Sequence, residues 1–140
     1  MMTFSSRADS ALRALACLPG KEGKWVRALD ISESCGVPLP YLHKILHELG
    51  KAGLLRSKKG YLGGVALARP AAEVSLLDIV DIIDGEAWKH RCLLSKTRCR
   101  EGRCCALHRL WARQRQELAE ELAYVTLDMY VNYACAQRQS

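Results

Sequence analysis

The stretch RCLLSKTRCREGRCCALH, residues 91–108, holds four of the chain's seven cysteines and one of its four histidines, spaced Cys92-x6-Cys99-x4-Cys104-Cys105-x2-His108. Thiols gathered this closely can form disulfides, hold zinc or seat an iron-sulfur cluster. An odd cysteine total and the lack of an export signal fit a disulfide framework poorly, because in a reducing cytosol clustered thiols bind metal or do chemistry. The C-x2-C knuckle of structural zinc sites is missing. A larger, looser loop suits a cluster, whose ligands are thiolates and whose net charge is negative. Arg91, Lys96, Arg98, Arg100 and Arg103 lie among the thiols, and cations there favour thiolate over thiol and offset an anion. Structural zinc, or thiols oxidised directly, remains the alternative. A thiol enzyme using Cys104 or Cys105 with His108 would also need an orienting group and an oxyanion site; the sequence offers neither, so no enzyme is expected. Cys17, Cys35 and Cys135 fall in helical segments and read as buried apolar fillers.

Such a segment needs elements on either side to hold it. At 140 residues and 49% hydrophobic content the chain is long enough for one domain with an appendage. No apolar run reaches the roughly 18 residues of a membrane span, so no membrane partner is expected. The opening MMTFSSRADSALRALACLPG reads as a first helix with Ser5, Ser6 or Asp9 near its start, rather than a transit peptide, and a cytoplasmic location follows. The net charge of +6 is unevenly spread: residues 1–75 carry eleven basic residues against six acidic, and residues 76–140 ten against nine. An acidic partner is therefore expected for the first half.

Apolar spacing predicts helices over residues 8–18, over VRALDISESCG with Val26, Leu29 and Ile31 inward and Gly36 as C-cap, and over PYLHKILHELGKAG with Leu42, Ile45, Leu46 and Leu49 inward. The last two, around Gly36-Val37-Pro38, make a helix-turn-helix candidate. LLRSKKGYLGGVALARP then reads as a hairpin with a Gly- and Lys-rich tip, which in this order is a wing. Arg56, Lys58 and Lys59 would meet phosphates, Tyr61 would lie along a groove, and Gly60, Gly63 and Gly64 would let the backbone approach a duplex. Tyr41, His43 and Lys44, early in the second helix of the motif, would face the major groove. VSLLDIVDIIDGE predicts a helix with Asp78, Asp81 and Asp84 turned to solvent. In ALHRLWARQRQELAEELAYVTLDMY, residues Leu107, Trp111, Gln114, Leu118, Leu122, Val125 and Met129 recur at steps of three and four, a seam expected to meet a second copy. The fold expected is mainly α with a small β-hairpin wing: a winged helix-turn-helix domain over 1–86, a cysteine-rich loop over 87–105, and a long dimerisation helix with tail over 106–140.

The order of YLHKIL, KAGL, GYLGGVALARP, SLLDIVDIIDGE, spaced cysteines and TLDM resembles the Rrf-two family of bacterial winged-helix regulators, the IscR/NsrR-like proteins, over nearly the whole chain. The resemblance implies a homodimeric transcription factor, read as a repressor, on near-palindromic double-stranded promoter DNA. It also implies an iron-sulfur cluster that senses nitric oxide, redox state or iron supply. In the family pattern the third cysteine starts the long helix, which picks Cys105 over Cys104 beside Cys92 and Cys99. His108 matches the histidine of 2Fe-2S members, and Asp9 matches the carboxylate that 4Fe-4S members take from the partner subunit; Asp9 and 4Fe-4S are preferred here. One departure is Val65, where the family often has an aromatic after the wing's paired glycines.

Overall fold

A computed structural model of the chain describes residues 5–19, 24–92 and 106–138. The first helix, α1 (Ser6–Leu15), starts at Ser5, whose hydroxyl accepts the Ala8 N–H. It buries Ala8, Ala11, Ala14 and Leu15 against α3 (Leu39–Lys51) and α4 (Leu76–Asp84). Between them α2 (Ala28–Cys35) ends at Gly36, which takes the left-handed conformation (φ 72°) that a side chain would make costly. Strands β1 (Leu55–Lys58) and β2 (Gly64–Leu67) pair antiparallel with Leu55 opposite Leu67 and Lys58 opposite Gly64. After α4 a 3-10 segment, Glu86–His90, leads to Cys92, and helices α5 (His108–Tyr124) and α6 (Leu127–Arg138) complete the chain.

Four expectations change. Val26 is not a helix residue: it exchanges both backbone hydrogen bonds with Val65, 2.9 and 2.8 Å, adding a one-residue third strand to the hairpin, and Leu29 is exposed. The aspartates of α4 are not free surface. Asp78 closes a capping box with Ser75, Asp84 accepts from the Ser5 N–H and hydroxyl, and Asp81 accepts from Trp88 Nε1 at 3.0 Å and Lys89 Nζ at 2.8 Å. Cys135 is exposed, while Cys35 is buried as expected. Finally, the predicted seam is interrupted. The chain turns extended at Val125, where the Leu76 N–H donates to the Val125 carbonyl (2.9 Å) and the Leu127 N–H to the Val74 carbonyl (2.7 Å). Thr126 Oγ1 then accepts the Met129 N–H, a cap that starts α6. Leu122 is buried in the chain's own core, and Leu118 and Val125 pack against it. The large apolar side chains that α5 and α6 leave exposed are Met129 of the expected seam together with Leu110, Tyr124 and Tyr133.

Candidate functional site

The turn between α2 and α3 is locked from within. Ser32 Oγ donates to the Val37 carbonyl at 2.6 Å, the Gly36 N–H donates to the Ser32 carbonyl, and Val37 is buried. Pro40 occupies the first turn of α3, where its missing N–H costs nothing. Leu42, Ile45, Leu46 and Leu49 all point into the core, each worth roughly 2 kcal/mol relative to exposure. Their burial turns His43, Lys44 and His47 to solvent. Tyr41 sits at the edge of this face, half-buried and packed against the core. An ion pair between Arg7 and Glu48 ties α1 to α3.

On the wing Arg56, Lys58, Lys59 and Tyr61 are all exposed, Tyr61 at 93%. The paired glycines serve the wing itself. A Cβ on Gly63 would lie 2.2 Å from the Lys58 carbonyl oxygen, and one on Gly64, at φ 148°, would lie 2.3 Å from that of Val26. Val65 is buried within the ladder, paired with both Ser57 and Val26. Sequence reasoning missed Leu62: 72% exposed, it is the one non-glycine residue with positive φ (62°) among the described residues. The Gly-Tyr-Leu-Gly order signalled a tight turn; it did not say which residue would take the left-handed position.

At the other end, Cys92 is half-buried just after the 3-10 segment. The carbonyl of Arg91 accepts from both Trp111 Nε1 and Arg115 Nη1, each at 2.8 Å, so the start of the cysteine segment is pinned to α5, the helix that begins where the segment ends. Trp88 is buried, its indole N–H on Asp81. Lys89 shares that carboxylate, and the hydrogen bond to Asp81 raises its pKa above the ordinary value. Cys99, Cys104 and Cys105 lie outside the described residues. His108 is half-buried in the first turn of α5. Asp9 is exposed on α1 and accepts from Arg13 Nε at 3.1 Å. Among the described residues no three His, Cys, Asp or Glu side chains gather into a metal-holding group within one protomer. The residue types fit an iron-sulfur cluster: Cys92 begins a cysteine-bearing segment whose base is fixed to α5, with an imidazole in that helix's first turn and, on α1, the exposed carboxylate of Asp9, which accepts from Arg13.

The family model Rrf2, described as an iron-dependent transcriptional regulator, matches residues 4–133. The HTH-type transcriptional regulator IscR of Pectobacterium carotovorum is 32% identical over 133 residues, covering 94% of this chain and 80% of that protein. Among solved structures, CymR, the global cysteine regulator of B. subtilis, superposes with a TM-score of 0.77 at 25% identity, covering 95% of this chain and 98% of its own. The oxidised form of Staphylococcus aureus CymR is 29% identical with a TM-score of 0.73, covering 93% and 96%. The fold, the family and these relatives agree on a winged helix-turn-helix regulator of transcription and not an enzyme.

Proposed function

The chain belongs to the Rrf2 family of transcription regulators, and on that premise we propose that it acts in the cytoplasm as a homodimeric repressor of near-palindromic promoter DNA, governed by an iron-sulfur cluster. His43 and Lys44, with Tyr41 at their edge, read the major groove; Arg56, Lys58, Lys59 and Tyr61 hold the backbone beside it. Two copies join through the exposed apolar side chains of α5 and α6. Cys92, Cys99 and Cys105 hold the cluster, with Asp9 of the partner subunit as fourth ligand and 4Fe-4S preferred; His108 would be the fourth ligand of a 2Fe-2S site. When bound, the cluster supplies a reactive centre for nitric oxide, oxidants or iron shortage.

The observation that carries this reading is on α1. Asp9 lies two residues from Arg7, and Arg7 is ion-paired with Glu48 of α3. A ligand bond at Asp9 would constrain the helix that is tied to the DNA-reading one, so losing that bond would alter operator affinity. A second reading has the same thiols hold structural zinc or be oxidised directly, and the match to an oxidised CymR favours the latter. Iron and sulfide analysis of protein purified without oxygen separates the two. Cys92→Ser, Cys99→Ser and Cys105→Ser should each abolish most visible absorbance, while Cys104→Ser retains it. Asp9→Ala should lose effector response and His108→Ala should keep it; the reverse result makes the site a 2Fe-2S one. Zinc, or thiols without inorganic sulfide, supports the second reading.

A further inference from the structure

Between α4, the 3-10 segment and α5 lies a groove of about 440 Å³, walled by Leu77, Ala112, Ala119 and Ala123 with Arg115 and Lys89 at its polar side. Its volume falls in the range of small-molecule sites, roughly 300 to 1,000 Å³. Arg115 is only 8% exposed, and its Nε is buried without a hydrogen-bond partner among the described residues. The guanidinium gives one hydrogen bond, to the Arg91 carbonyl, and lies 5.8 Å from the Trp111 ring centroid. Among the described residues this buried cation is held by a carbonyl and an aromatic ring alone, and a donor edge left so is costly until a charged acceptor meets it. The acidic residue lining the groove, Glu120, makes no ion pair with Arg115 among the described residues. Lys89 is held by Asp81 and Glu86, and Glu120 accepts from Gln116 on its own helix. His90 adds a further potential donor to the wall.

We propose that this groove binds a small aliphatic carboxylate, its acid group on Arg115 and its chain along the alanine-lined wall of α5. The guanidinium edge matches a carboxylate, and alanines with Leu77 give a short chain apolar surface without competing hydrogen bonds. The same guanidinium holds the carbonyl one residue before Cys92, so occupancy is one hydrogen bond from the cysteine segment. Among the described residues the groove's lining includes none of the proposed cluster ligands and no residue of the DNA face, and its test uses neither.

Calorimetric titration of the full-length protein with hexanoate, and with hexanamide as the uncharged match, reads it directly. Hexanoate should bind saturably and hexanamide about tenfold more weakly or not at all. Arg115→Met should lower hexanoate affinity by about tenfold or more, and Ala119→Phe, which fills the groove and leaves Arg115 in place, should abolish binding while circular dichroism stays unchanged. Absence of saturable hexanoate binding overturns the proposal, as does equal binding of the amide. So does binding that survives Ala119→Phe, or binding that occurs only in protein diluted to monomer, which would make the groove a contact between copies.

Discussion

The wing and the cysteine segment are both excursions between firm elements, and they are secured in different ways. The wing closes on its own backbone: β1 pairs with β2, Val26 adds a one-residue third strand, and Gly63 and Gly64 sit where a side chain would strike a carbonyl. Its cations are displayed by a frame that needs no other molecule. The cysteine segment is secured at its mouth, by Trp111 and Arg115 on the Arg91 carbonyl and by Asp81 on Trp88 and Lys89. Displaying charge requires only exposure, whereas bringing thiolates to a shared centre is work that a bound metal group can do in folding with its site.

The wing depends most heavily on Gly64. Gly64→Ala would drive a Cβ into the Val26 carbonyl at a backbone angle that L residues avoid, and should cost about 3 kcal/mol by denaturant unfolding, with DNA binding lost alongside. A loss under ~1 kcal/mol would mean that the wing is not closed this tightly. At the cysteine mouth, Asp81→Ala leaves the buried Trp88 indole N–H without its acceptor and Lys89 without its closer partner, and should cost about 1–2 kcal/mol. The Lys89 contribution has a definite sign with pH. Its folded pKa is raised above 10.5, so the stabilisation is complete below that value and is lost as pH rises through the folded one. The gap between wild type and Asp81→Ala should therefore hold from neutral pH to about pH 10 and narrow above it. The smallest stability effect belongs to the wing's cations. Lys58→Ala or Lys59→Ala should leave unfolding unchanged and lower the salt dependence of DNA binding by about one unit of slope, equally on all sequences. An unchanged slope in both would remove the wing from the interface.

Much of this was legible because the signals were local. The Leu42, Ile45, Leu46 and Leu49 stripe, Gly36 and Pro40 each specify geometry within a few residues, and α3 forms where they predict. What was not legible depends on distant partners. Asp84 reads as surface by period but meets Ser5, 79 positions away. Val26 fits a helical stripe until Val65 claims it as a strand partner. The seam through Leu118 and Leu122 matches a coiled coil, yet α4 offers those side chains a surface within the same chain, and Thr126 ends the run. The cysteines' type and spacing suggest thiolate chemistry, and their reading as cluster ligands rests on the resemblance and lies largely outside the described residues. Their fourth ligand stayed open because the candidates lie on elements, α1 and α5, whose relation across two copies no spacing encodes.

The most direct test of the account is the affinity of oxygen-free protein for a near-palindromic promoter fragment, measured before and after the iron is removed with a chelator. The two affinities should differ by about tenfold or more, and protein carrying Cys92→Ser should behave as the chelated form throughout. Identical affinities in all three samples would contradict it.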